Sequence, residues 1–235
     1  MVLALLLLAC SESDYSVKNV CVEDAGGFDI EEVSTLQDAA GYPGARDAIV
    51  LSFDDSNLAE GESWRVTGID FLAMIPEQYF DTYDGGDKLV VDLWDANRPS
   101  GASGDWHLEQ AIRPSELTWD EVTLPRDAYW AGLRGELQQR RAWMHFDFSD
   151  IVPEEGMSSN RYTVSVGWYD SGLPTIGYSN FNLDCGKNWT DYGDGTWTLN
   201  SADGDGNDCS WPMMRVQVET RTLDDGTCSG ESVAI

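Results

Sequence analysis

The sequence predicts an all-β protein, a jelly-roll-like antiparallel β-sandwich with one short helix. Three observations carry this. Apolar residues recur at every second position in segment after segment. Between these segments lie clusters of Gly, Asp, Asn, Ser and Pro such as "DTYDGGD", "NRPSGASGD" and "SADGDGND". The turns return at near-regular spacing, the pattern of many short strands in a sandwich or barrel.

Each element follows from that period of two. Shorter candidate strands are Asp47–Phe53, Trp106–Ile112, Leu117–Leu124, Thr175–Asn180 and Thr196–Leu199. "SWRVTGIDFLAMI" is longer and apolar on both sides toward its end, which suits a central strand or one that bends at Gly68. "KLVVDLWD" opposes Leu89, Val91 and Leu93 to Val90, Asp92 and Trp94. "AWMHFDFS" sets Met144, Phe146 and Phe148 against Trp143, His145 and Asp147. In "YTVSVGWY", Tyr162, Val164, Val166 and Trp168 face away from Thr163, Ser165, Gly167 and Tyr169. "MMRVQVET" places Met214, Val216 and Val218 opposite Arg215, Gln217 and Glu219. One stretch departs from the pattern: "DAYWAGLRGELQQRR" carries Trp130, Leu133 and Leu137 at helical spacing and is expected to form a short helix over an open end of the sandwich.

The amino terminus reads as an address. Val2 to Ala9 are all apolar, too few to span a bilayer core, which needs about 20 residues, and about right for the apolar core of a secretory signal. Leu7-Leu8-Ala9-Cys10 resembles the bacterial lipobox. The resemblance implies cleavage before Cys10, lipid on its sulfur and a membrane partner reached through that anchor. With Ser11 after the cysteine, the resemblance further implies the outer membrane, with the soluble part periplasmic or on the cell surface. The expected division is residues 1–9 as signal peptide, 10–16 as lipidated cysteine and tether, and 17–235 as a single β-sandwich domain. No later segment is apolar enough to cross a membrane.

The formal net charge is −28, from 27 Asp and 15 Glu against 11 Arg and 3 Lys. A field of that sign repels phosphate backbones and excludes nucleic acid as a partner. Besides Cys10 the chain holds Cys21, Cys185, Cys209 and Cys228. An even number in an exported chain reads as two disulfides. Of the three connectivities, Cys185–Cys209 with Cys21–Cys228 closes one local loop and ties the two ends together. A zinc site is the rival use, but there is no C-x-x-C spacing and both histidines, His107 and His145, lie far from the cysteines.

Two groups of residues are candidates for binding. "DGDGND" alternates Asp203, Asp205 and Asn207, whose oxygens suit a hard cation such as Ca²⁺, with Asp194 or Asp191 of "DYGDG" as further ligands. Asp208 stands where an EF-hand loop needs Gly and the twelfth-position Glu is missing, so the EF-hand is excluded. The second group is aromatic. Trp143, His145 and Asp147 share the wet face of one strand and form a platform suited to a sugar ring and its hydroxyls, and Trp189 and Trp197 flank the acidic turn region. No G-x-S-x-G, H-E-x-x-H or phosphate loop is present.

The strands "WRVTGIDF" and "WDEVTLP", with a last strand near the carboxyl end, give an arrangement that resembles the jelly-roll sandwich of galactose-binding-like and carbohydrate-binding modules. The likeness is architectural and does not supply function. The expected function is an envelope-anchored binding module with a glycan as leading ligand. The alternatives are an envelope assembly protein that binds another protein, and a hydrolase acting on a polysaccharide.

Overall fold

The longest strand shows how the sequence pattern becomes a sandwich. In the computed structural model, Ser63–Pro76 forms one strand of 14 residues. Trp64 and Val66 face the core, then Ile69, Phe71 and Ala73 do. The change of parity comes from a bulge at Thr67, where Gly68 pairs with Gln217 but Val66 pairs with Val218. Without that extra residue one of the two apolar runs would point to solvent.

The structure describes residues 17–25, 35–36, 45–53, 55–56, 58, 60–76, 81, 88–125, 136–168, 175–178, 188–199, 212–221 and 232–234. The strands among them are β1 (Val17–Ala25), β2 (Thr35–Leu36), β3 (Arg46–Phe53), β4 (Ser63–Pro76), β5 (Lys88–Trp94), β6 (Trp106–Ala111), β7 (Asp120–Pro125), β8 (Glu136–Asp147), β9 (Arg161–Trp168), β10 (Thr175–Tyr178), β11 (Asn188–Asp191), β12 (Trp197–Leu199), β13 (Met214–Arg221) and β14 (Ser232–Ala234). The only helical piece among the described residues is a 3₁₀ turn at Pro114–Glu116, and no described helix is long and apolar enough to cross a membrane.

Two antiparallel sheets pack face to face. The first runs β1-β13-β4-β8-β7, with β10 and β2 continuing beside the far end of β4. The second runs β12-β11-β3-β9-β5-β6, and β14 adds to β3 beyond β11. With β1, β3, β4, β5, β6, β8, β9 and β13 as the principal strands, the first sheet takes the first, eighth, third and sixth. The second sheet takes the second, seventh, fourth and fifth. This is jelly-roll order, two interlocked Greek keys.

The core lies between the sheets. Ile49, Leu51, Val91, Leu93, Val164 and Val166 of the second sheet meet Ile69, Phe71, Met144, Phe146, Val216 and Val218 of the first. Trp64 bridges them, its ring 4.5 Å from Phe53 and 5.5 Å from Tyr162. Truncating a buried ring such as Phe146 to Ala removes about 3–5 kcal/mol.

The helix expected over "DAYWAGLRGELQQRR" is corrected for its second half. Glu136 to Arg141 begin β8 and pair with β7, Asp120 opposite Arg141 and Leu124 opposite Leu137; residues 126–135 lie outside the described residues. Pairing with β7 on one edge and β4 on the other supplies backbone partners that outweigh the helical spacing of three apolar residues.

Candidate functional site

Period two puts Trp143, His145 and Asp147 on the outer face of the first sheet, as the sequence reading expects. Register then supplies their neighbours. On β4, Leu72 stands beside Trp143, Asp70 beside His145 and Gly68 beside Asp147. On β13, Arg215 lies opposite Asp70 and Gln217 opposite Gly68. The Arg215 guanidinium sits 4.0 Å from the centre of the Trp143 ring. His145 Nδ1 donates to Asp70 Oδ1 at 2.7 Å. A Cβ at Gly68 would lie 2.8 Å from both Gln217 Oε1 and His145 Cε1, so only glycine lets these two side chains close over the strand.

This polar patch is a gap in an otherwise covered face. At one end Leu72 and Met74 are buried beside Gly177. At the other, Arg65 is buried against Glu219 at 3.1 Å and donates to the carbonyls of Ser149 and Val152. Between them His145 and Asp147 are exposed and Trp143 is half-buried. Asp147 accepts from the hydroxyl of Ser149 at 2.6 Å and from its backbone N–H at 2.9 Å. The Ser149 hydroxyl, then its N–H, hold the Asp147 carboxyl below its ordinary pKa. The patch therefore offers an indole, a guanidinium, an imidazole, an amide and two carboxylates within three adjacent strands.

The outer face of the second sheet is built differently. Arg46 lies across β9 above Gly167, where any Cβ would run into its side chain. Its guanidinium donates to Asp92 Oδ2 at 2.8 Å, to the Ala102 carbonyl at 2.7 Å and to Asp191 Oδ2 at 2.7 Å. It also lies over the Trp197 ring, 5.0 Å from the centre. Asp92 Oδ1 accepts from the Gly104 N–H at 2.9 Å and pairs with His107 Nδ1 at 2.8 Å. Asp191 Oδ1 accepts the N–H groups of Gly193, Asp194 and Gly195. Burial alone would raise the Asp191 pKa, but Arg46 and these N–H groups more than offset it and hold the carboxyl below its ordinary value. Burial would likewise lower the His107 pKa, and Asp92 with Glu109 raises it above the usual histidine value.

Two loops are thereby fastened over the sheet. Trp197 Nε1 donates to the Gly101 carbonyl and Trp94 Nε1 to that of Ser100, and the two indoles meet edge to face at 5.5 Å. Trp189 and Trp197, expected as ligand-binding residues, are on this sheet and not beside Trp143. Both are half-buried, and the Trp197 ring is occupied by Arg46 and Trp94. Asp194 is exposed in the β11–β12 turn, where its carboxylate caps the Thr196 N–H. Asp191 has both oxygens engaged.

Asp203, Asp205 and Asn207 lie outside the described residues, as do Cys10, Cys185, Cys209 and Cys228. Cys21 is on β1 opposite Val218. Among the described residues no three of His, Cys, Asp and Glu are grouped to hold a metal ion.

The sequence reading missed Arg46 and the exposed Tyr192 of the β11–β12 turn, 64% accessible. The signal for Arg46 was indirect: an Asp inside the apolar run "KLVVDLWD" needs a buried counter-charge. Compared with known proteins, the chain matches no family model, no curated protein and no solved structure.

Proposed function

We propose that the chain is an envelope-anchored lipoprotein whose jelly-roll domain binds a glycan on the outer face of the first sheet. The observation that supports this best is the exposed patch of Trp143, Arg215, His145, Asp70, Asp147 and Gln217 between two covered ends of that face. A sugar ring needs an apolar surface for its C–H face and a surround of donors and acceptors for its hydroxyls, and sites of this kind place a few polar groups around apolar and aromatic side chains. The patch holds an indole, stacked on one face by the Arg215 guanidinium, with these polar groups around it on a rigid sheet.

The anchor rests on Leu7-Leu8-Ala9-Cys10. In this reading Ser11 to Ser16 are a polar tether, which reaches at most about 20 Å. The glycan would then be one held close to the bacterial surface.

The test is a glycan array probed with the full chain in detergent, followed by titration calorimetry of any sugar retained. Retention of a defined glycan class, lost with Trp143→Ala, supports the reading. An array without signal, or a signal that survives that substitution, contradicts it. Lipidation is checked separately by mass spectrometry of the amino-terminal peptide from membranes, where an unmodified Cys10 thiol would refute the anchor.

A protein partner is the second reading. Tyr192 and Leu199, 64% and 41% accessible, stand on the β11–β12 hairpin, which Arg46 fastens to the sheet, and a rigidly held Tyr is a common anchor in protein interfaces. Tyr192→Ala abolishes binding of envelope proteins under that reading and leaves glycan binding untouched.

A further inference from the structure

We propose that His107 and Glu109 form a two-residue site for a divalent transition cation of the zinc class, open to solvent on the edge strand β6. His107 and Glu109 are two apart on one strand and so project from the same face. Nε2 of His107 and Oε1 of Glu109 are 3.4 Å apart. That is long for a hydrogen bond. It is the separation that two ligand atoms adopt on one zinc ion, since bonds of about 2.1 Å meeting at the tetrahedral angle place them about 3.4 Å apart.

The imidazole is prepared for this role. Asp92 Oδ1 takes Nδ1 at 2.8 Å; the carboxylate accepts only, so the Nδ1 proton is fixed there and Nε2 is the nitrogen that faces outward. Ligating histidines almost always have such a carboxylate or carbonyl behind them. Asp92 is itself immobilised by Arg46 and the Gly104 N–H. The His107 and Glu109 side chains are 41% and 31% accessible, which leaves room for water to complete the coordination. Lys88 is the opposing charge: its Nζ lies 3.3 Å from Glu109 Oε2, the oxygen turned away from the ring. The −28 charge of the chain draws cations toward the surface as a whole. An imidazole nitrogen then selects zinc, nickel or copper over magnesium and calcium.

The other histidine supplies the internal control. His145 has the same carboxylate behind Nδ1, Asp70, and an acid two residues on, Asp147. There the acid is turned to the Ser149 hydroxyl and N–H and does not serve as a second ligand.

The chain holds two histidines, so long-range ¹H–¹⁵N spectra of the full chain show two rings and nothing from the cysteines. Titration with Zn²⁺ is expected to move the His107 Nε2 signal and leave His145 in place, while Mg²⁺ at matched ionic strength moves neither. Glu109→Gln, a substitution at an exposed position that leaves the Asp92 contact intact, weakens the affinity about tenfold or more, and Lys88→Gln tightens it. A His107 ring that stays unmoved at millimolar Zn²⁺, equal movement of both rings, an equal response to Mg²⁺, or an affinity unchanged by Glu109→Gln overturns the proposal.

Discussion

The two histidines stand in nearly the same local arrangement on opposite sides of the sandwich, and the difference between them separates what holds this fold together from what is left for binding. Each faces an Asp directly across a strand pair, His107 with Asp92 and His145 with Asp70. The Nδ1 to Oδ1 distances are 2.8 and 2.7 Å. The Asp92 carboxylate has no exposed surface, whereas that of Asp70 keeps 15%. Behind Asp92 stand Arg46, two fastened loops and a second buried carboxylate. The His145 pair looks out onto an open patch. The same pair of residues is tied into the fold where its carboxylate is buried under loops and is a surface feature where the carboxylate keeps contact with solvent.

The contrast is broken most directly at Arg46. Arg46→Ala leaves the buried Asp191 without its counter-charge and Asp92 with His107 alone. Breaking a buried pair from one side costs about 3–5 kcal/mol, which for a chain of this size lowers the melting temperature by roughly 10 °C. A loss under about 1 kcal/mol, the ceiling for an exposed pair, would show that the knot is surface decoration. Next comes Gly167→Ala, whose methyl group enters the space of the Arg46 side chain. Overpacking of that kind costs about 1–3 kcal/mol, and denaturant unfolding measures it. A neutral result would mean that both the Arg46 side chain and the Ala45–Arg46 backbone can give way without loss.

Acid sensitivity sharpens the same contrast. The Asp191 carboxyl is held below its ordinary value, so it binds a proton less readily folded than unfolded. Its contribution is fully present above the unfolded value of about 3.9, and it is lost as pH falls through the lower, folded value. Melting temperatures between about pH 5 and pH 2 are therefore expected to fall less steeply in Arg46→Ala than in the wild type. Parallel curves would contradict this. The smallest effect belongs to the open side. Asp70→Asn removes one partner of a partly exposed pair, worth about 0.2–1 kcal/mol, and shifts the melting temperature by only a few degrees. A shift as large as that of Arg46→Ala would erase the distinction between the two faces.

The alternation of "YTVSVGWY", "AWMHFDFS" and "MMRVQVET" carried the sandwich because side chains on a strand have only two directions, and an apolar face needs a core. That same alternation placed Trp143, His145 and Asp147 together. Longer-range facts were not legible. Asp70 and Arg215 complete the patch through register; Gly68 marked where the strand bends, but not which residues of β8 and β13 would lie opposite Asp70. Trp189 and Trp197 read as platforms from composition, but the Trp197 ring is engaged by both Arg46 and Trp94, and Arg46 lies 151 positions before Trp197 in the chain. The helical spacing in "DAYWAGLRGELQQRR" gave way at its second half to strand pairing on both edges of β8, a tertiary effect that overrides local preference.

The proposal that the open patch of the first sheet binds, while the Arg46 network of the second holds the fold, rests most directly on Trp143→Ala. Calorimetric titration of the full chain with the glycan retained on the array should show affinity falling at least about tenfold, or about 1.4 kcal/mol, with the melting temperature within a few degrees of the wild type. Unchanged affinity in Trp143→Ala would contradict the account.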